Sequence, residues 1–331
     1  MKLNLKLSFL SLMITGSTLL FSGCGKDDDN AITPDPNQPG TTTSAWSGKL
    51  IHDWSSSVRE YDFASKTNPE LFPGRMPNRM PNGNTLHIGG VFERLEMTNP
   101  SGTQKTVIYN ANETTSVYSP QLSPDGTKIA FTHRKYYNNS IYPVKEGTVI
   151  IDLAGTYIAG IPDMYNAVWL PDGRLVVAGE FSSDGLPDNT NPPATSGLYI
   201  ATLNGATATL TNINPNLSNP APLLPSVSPD GTRIAFIINK HLWTMNIDGT
   251  NMKQLTASDN DNEESFSVWS PDGKYIAVWS YKTFEITYYT AIAIVPSESA
   301  QPIVLKNDAD VWPRDKDGYR VSGGMGSMSW K

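Results

Sequence analysis

The side chains with the most evident chemical potential sit in a few irregular stretches rich in rings, amides and carboxylates. One is His133-Arg134-Lys135-Tyr136-Tyr137-Asn138-Asn139-Ser140-Ile141-Tyr142, and a second is Glu180-Phe181-Ser182-Ser183-Asp184. A third holds Trp279, Tyr281, Phe284, Tyr288 and Tyr289. Flat rings cover apolar faces while neighbouring polar groups read hydroxyls or backbone, a combination suited to sugar or peptide recognition. Tyr136, Tyr137, Tyr142, Phe181, Trp279 and Tyr281 are therefore the candidate binding residues. The competing reading is that such rings fill space between packed elements. It is weakest for Tyr136 and Tyr137, which stand in a polar run.

Other chemistry is less well specified. The acidic run Asp259-Asn260-Asp261-Asn262-Glu263-Glu264 offers oxygens to a hard cation such as calcium. It lacks the spacing and glycine of a calcium-binding loop, so a solvated loop is expected. The four histidines, His52, His87, His133 and His241, fall in or beside different expected strands. No H-x-H or H-E-x-x-H signature joins them, and separate structural histidines are expected. Gly323-Gly324-Met325-Gly326 has no following lysine and helix, and reads as a turn rather than a phosphate loop. No catalytic residue, resident metal or cofactor is identified.

The elements that must position these residues are marked by a recurring turn. It reads Ser123-Pro124-Asp125-Gly126, Leu170-Pro171-Asp172-Gly173, Ser228-Pro229-Asp230-Gly231 and Ser270-Pro271-Asp272-Gly273, with a weaker copy in Met80-Pro81-Asn82-Gly83. The Asn/Asp markers are separated by steps of 43, 47, 58 and 42 residues. Proline suits the second position of a type I turn, aspartate the third, and glycine the left-handed position after it. Such a turn with a bulge joins antiparallel strands. Short β-branched and aromatic runs follow each turn, as in Arg233-Ile234-Ala235-Phe236, and Val168-Trp169 and Val268-Trp269 precede two of them. Third strands are expected at 148–153, 197–203, 241–247 and 289–295, and less regular fourth strands at 252–255 and 302–305. Four strands per repeat of about 40–45 residues make a β-propeller blade.

The chain ends complement each other. Residues 49–54 and 58–64 read as the second and third strands of a blade without its first, and 327–330 as a first strand without its turn. Pairing them closes the ring and removes two sheet edges. The expected fold is all-β: a six-bladed β-propeller with one blade shared between the N- and C-terminal strands. Asp317-Gly318 is read as a loop rather than a seventh turn.

On these residues the repeat resembles the TolB-like β-propellers, whose WD-like pattern has the form W-S-P-D-G-x-x-I-A-F. Residues 269–278 and 226–236 match it closely, and the likeness runs from Trp46 to Lys331. The resemblance implies the fold, and leaves function open among binding, scaffolding and catalytic proteins. A related lyase family uses a metal at the propeller axis, which is the catalytic alternative for the histidines. No G-x-S-x-G accompanies the repeat, so the hydrolase domain of propeller peptidases is not indicated.

The first 23 residues read as a lipoprotein signal peptide. Lys2 and Lys6 precede a short apolar stretch, and Leu20-Phe21-Ser22-Gly23-Cys24 resembles a bacterial lipobox. The resemblance implies cleavage before Cys24 and its lipidation, hence a membrane anchor. Cys24 is the single cysteine, so no internal disulfide can form. Gly25-Lys26-Asp27-Asp28-Asp29 resembles the surface-export signal of Bacteroidetes-type lipoproteins, with a solvated linker as the alternative. Residues 24–45 are expected to be a flexible tether, and 46–331 the propeller domain. The formal charge of −7 becomes −9 without Lys2 and Lys6, and no basic cluster is present, which argues against nucleic-acid binding. The expected protein is an outer-membrane lipoprotein facing the cell surface or the periplasm. It would be a binding or scaffold module for a glycan, a peptide or an envelope protein. A metal-assisted polysaccharide lyase or hydrolase is the alternative. A third reading is a structural partner in an envelope complex, using strand edges or the S-P-D-G face.

Overall fold

All five proline turns form as their sequences predict. Each glycine lies in the left-handed region, with φ of 85° at Gly83, 71° at Gly126, 87° at Gly173, 72° at Gly231 and 70° at Gly273. In each, the glycine N–H donates to the carbonyl of the turn's first residue, as from Gly231 to Ser228 at 2.9 Å. The serine turns add a second layer. Ser228 Oγ donates to Asp230 Oδ1 at 2.6 Å and accepts from Arg233 N at 2.9 Å. Ser123 and Ser270 repeat both contacts. The serine hydroxyl and the Thr232 N–H hold the Asp230 carboxyl down to about 2. Asp125, Asp172 and Asp272 are also depressed, in each case first by a side-chain hydrogen bond.

The computed structural model describes residues 46–90, 92–111, 115–135, 146–179, 197–214, 223–257, 262–284, 287–306, 309–324 and 326–331. Among them there is no helix. The strands in chain order are β1 (Lys49–Trp54), β2 (Ser57–Asp62), β3 (Glu70–Pro73), β4 (Arg75–Arg79), β5 (Thr85–Gly89), β6 (Arg94–Thr98) and β7 (Lys105–Asn110). Next come β8 (Thr115–Leu122), β9 (Lys128–Lys135), β10 (Gly147–Asp152), β11 (Tyr157–Pro162), β12 (Met164–Trp169), β13 (Leu175–Gly179), β14 (Gly197–Asn204) and β15 (Thr207–Asn212). The last are β16 (Leu223–Val227), β17 (Arg233–Ile238), β18 (His241–Asn246), β19 (Lys253–Gln254), β20 (Thr256–Ala257), β21 (Asn262–Trp269), β22 (Tyr275–Phe284), β23 (Thr287–Pro296), β24 (Ile303–Val304) and β25 (Ser329–Trp330).

Blades 1 to 4 are the antiparallel sheets β4–β7, β8–β11, β12–β15 and β16–β19. Blade 5 is β21–β23, and blade 6 has the order β25-β1-β2-β3, so the two ends of the chain do share a blade. Blade 5 departs from the repeat. Its expected fourth strand, β24, pairs in parallel with β20 beyond the end of blade 4 instead of with β23. The edge of β23 is covered by the segment after it, through Ile294 N to Val311 O at 2.7 Å and Ile292 N to Val321 O at 3.0 Å. Asp315 to Gly318 forms a small turn there, and no seventh blade.

The core lies in the seams between blades. Blades 1 and 2 meet through Ile88, Leu95, Ile129 and Phe131, blades 4 and 5 through Leu242, Trp269, Val278 and Trp312, and blades 5 and 6 through Leu50, Trp279, Ile294 and Trp330. Each inner strand of blades 1 to 5 carries a register shift against its neighbour. At four of these shifts a residue other than glycine takes a left-handed φ: 49° at Met76, 49° at Ser119, 52° at Asn166 and 52° at Leu224. A bulge at the same level in successive blades turns the inner strands around the axis.

Candidate functional site

The inner strands β4, β8, β12, β16, β21 and β25 together enclose a cavity of about 200 Å³ that opens near the S-P-D-G face. Its polar lining is amide and hydroxyl: Asn78, Gln121, Asn166, Ser226, Ser267 and Ser329 come from all six blades. Lys331 supplies the one charged side chain. Asn78 Nδ2 donates to Gln121 Oε1 at 3.1 Å, linking blades 1 and 2, and Ser226 and Ser267 share a hydroxyl contact of 2.7 Å between blades 4 and 5. The tryptophans before the turns brace this ring. Trp169 Nε1 donates to Gln121 O at 3.2 Å and Trp269 Nε1 to Ser226 O at 3.3 Å, each reaching the inner strand of the preceding blade. Arg233 lies over the Trp269 ring at 4.7 Å. A neutral lining of donors and acceptors can pair with peptide groups or hydroxyls. Among the described residues the lining holds no histidine, cysteine or carboxylate side chain.

The sequence missed these residues, although they leave a signal. Asn78, Gln121 and Ser226 stand two residues before their turns, and Ser119 and Asn166 stand four before theirs. Both positions line the cavity, one at the register shift and one beyond it.

The predicted site residues divide. Tyr136, Tyr137, Tyr142 and Phe181 lie outside the described residues, as does Cys24. Trp279 is a correction, because its side chain is 0% exposed and cannot serve a loop face. Its indole donates from Nε1 to Gly326 O at 2.6 Å, and its ring so closely covers Gly323 that no Cβ could stand there. It is a seam residue between blades 5 and 6. Tyr281 is half-buried, and its hydroxyl donates to Glu263, which also pairs with Lys240. Glu264 is buried, accepting from Thr256 Oγ1 at 2.9 Å and contacting His241 Nδ1 at 2.9 Å. Burial raises its carboxyl above the usual range, against the pull of those two partners. Two carboxylates of the acidic run are thus held by other side chains, and the expectation of an entirely solvated loop fails for Glu264.

The histidines stay apart, each on its own blade. His52 and His87 sit at the register position that Phe131, Val177, Phe236 and Val278 occupy in the other blades. All six are 0% exposed. His52 bonds Asn68 at 2.8 Å and His87 bonds Thr98 at 2.8 Å. Burial pulls both down to about 4, so both are neutral core residues at neutral pH. Among the described residues no three His, Cys, Asp or Glu side chains gather into a metal-binding group.

One buried acid stands out. Asp53 on β1 is 4% exposed, and burial pushes it up to about 6 despite the nearby Arg75 and two backbone N–H groups. It occupies the register position of Thr132, whose Oγ1 accepts the N–H of the bulge residue Asn166 at 2.9 Å. Asp53 likewise serves the bulge N–H of Met76. Gly324 and Gly326 pass over it so closely that a Cβ on either would stand 2.7 or 2.6 Å from a carboxylate oxygen.

Comparison with known proteins agrees with this architecture. Residues 189–308 match the family described as the dipeptidyl peptidase IV (DPP IV) N-terminal region. No curated protein matches the sequence. A TolB candidate from Agrobacterium tumefaciens superposes with a TM-score of 0.52 at 16% identity, covering 76% of this chain and 88% of that one. A nidogen/laminin complex gives a TM-score of 0.52 at 11% identity, covering 76% of this chain and 99% of the matched chain. Hydrazine synthase from Kuenenia stuttgartiensis gives 0.50 at 14%, covering 73% and 79%. At these identities the likeness establishes a TolB-like six-bladed propeller fold, and the activities of those proteins remain theirs.

Proposed function

We propose that this protein is a non-enzymatic binding module of the bacterial envelope, whose axial cavity receives an extended segment of a partner protein. The observation that carries the reading is the cavity's lining. Six strands present neutral amides and hydroxyls to one space, and such groups match the alternating N–H and C=O of a peptide. Four left-handed non-glycine residues around the axis are costly, at about 1–3 kcal/mol each, and such strain clusters where a site must be shaped. Cys24 would carry the lipid that holds the ring at the outer membrane.

The test fills the cavity. Ser226→Trp combined with Ser267→Trp, which also gives up the hydroxyl contact between blades 4 and 5, should abolish recovery of the partner in affinity purification from intact envelopes, while circular dichroism shows the fold retained. Undiminished recovery with the cavity filled would defeat the reading. A metal-assisted lyase gains no support from the four separated histidines.

A further inference from the structure

A second pocket lies where the ring closes. In the two seams before it, the proline of one turn lies close to the glycine of the next. A Cβ on Gly231 would meet Pro171 Cδ at 2.8 Å, and one on Gly273 would meet Pro229 Cδ at 3.8 Å. Blade 6 has no such turn, because its first and second strands come from opposite ends of the chain. Pro271 therefore has no following turn glycine to rest on, and Gly48 lines the space beside it. The gap is a pocket of about 220 Å³ with Pro271, Asp272 and Tyr275 on the blade 5 side, and Trp46, Trp330 and Lys331 on the blade 6 side.

We infer that this closing-seam pocket is a carbohydrate-binding site that takes a single neutral pyranose ring. Trp46 and Tyr275, both partly exposed, supply surfaces on which the C–H face of a sugar packs, and Trp330, 4% exposed, backs the pocket. They are fixed rather than adaptable. Trp330 stacks on Phe63 at 5.1 Å, Phe63 meets Trp46 edge-on at 6.3 Å, and Trp330 Nε1 donates to Ser47 O at 2.9 Å. The polar wall is suited to hydroxyls. Asp272 Oδ1 is occupied by Ser270 Oγ at 2.6 Å and Lys274 N at 3.1 Å, which orients the carboxylate. Its Oδ2 lies 3.6 Å from Lys274 Nζ on a half-exposed side chain, and retains capacity to accept from a sugar hydroxyl. Lys331 provides donors. An apolar side chain of a protein partner would leave that carboxylate unused. The volume is below the range of about 300–1,000 Å³ typical of drug-sized sites, which favours one ring over a longer chain. This site is separate from the axial cavity and does not depend on that proposal.

The test uses the full chain labelled with 5-fluorotryptophan, titrated with methyl β-glucopyranoside and with N-acetylglucosamine. Trp46 and Trp330 resonances, assigned with Trp46→Phe and Trp330→Phe, should shift with at least one sugar. Those of Trp169 and Trp279 should stay fixed. Trp46→Ala and Asp272→Asn should each weaken binding about tenfold, and Asn78→Ala in the axial cavity should leave it unchanged. Asp272→Asn keeps the acceptor oxygen of the turn, so it reads the site even if Trp46→Ala unfolds. Absence of any shift at Trp46 and Trp330 with both sugars would overturn the assignment. So would binding as tight as the parent's by both a folded Trp46→Ala and Asp272→Asn.

Discussion

The seam between blades 3 and 4 and the seam between blades 5 and 6 are built from the same repeat and end differently. In the first, Pro171 lies against Gly231 and the turn edge is closed. In the second, the repeat is broken to admit the chain ends, and the same edge is a pocket beside Trp46 and Trp330. The departure runs through blade 6. Where blades 2 to 5 place phenylalanine or valine it has His52, as blade 1 has His87, and where blade 2 has Thr132 it has Asp53. Blades 1 to 4 repeat the four-stranded sheet, and in the closing blade the pairing of β1 with β25 replaces the turn of the repeat.

The largest expected effect is on closure itself. Trp330→Ala removes a buried ring that packs on Phe63, and should cost about 3–5 kcal/mol in denaturant unfolding. A loss near that of an exposed tryptophan would mean the closing blade is not integral to the ring.

The next sharpens the contrast through pH. Burial pushes the Asp53 carboxyl up to about 6 in the fold, from its ordinary value of 3.8 when unfolded, so the folded form is favoured while Asp53 is protonated. Its contribution is fully present below 3.8 and is lost as pH rises through 6, by about 3 kcal/mol. Asp53→Asn should therefore raise the melting temperature at pH 7 and leave it little changed at pH 3.5. His52 has the opposite slope. Its folded value of about 4 lies below the ordinary value of 6.5, so stability is lost as pH falls from 6.5 to 4. His52→Phe should reduce acid sensitivity over that window. Parallel pH profiles for parent and variants would contradict both assignments.

The turn glycines give a smaller, cleaner comparison. Gly126 and Gly231 have nearly equal φ, 71° and 72°, but only Gly231 has a proline within reach of a Cβ. Gly126→Ala should cost about 1 kcal/mol from backbone strain alone, and Gly231→Ala about 2 kcal/mol or more. Equal costs would mean the seam is not closed by that contact. Smallest of all, Ser228→Ala removes the hydroxyl that bonds Asp230 and Arg233 N, worth about 1 kcal/mol by thermal melting.

What the sequence revealed follows the range of the forces involved. The turns were legible because Pro, Asp and Gly act within four residues, and the closing blade because its two halves are each visibly incomplete. Trp279 was misread because its environment is made by Gly323 and Gly326, far along the chain and silent in strand periodicity. The fourth strand of blade 5 was located correctly, but its partner β20 could not be foreseen from a two-residue run. The axial amides were in plain view at fixed distances before the turns. Their meaning required knowing which strand lines the axis.

The most direct test of the central claim is photocross-linking in intact cells. A benzoyl-phenylalanine would be placed in turn at Asn78 and Gln121 on the axis, and at Val107, which is 43% exposed on the outer strand of blade 1. A partner-protein adduct from the axial positions and none from Val107 is the predicted result. Adducts from Val107 with none from either axial position would contradict the axial binding site.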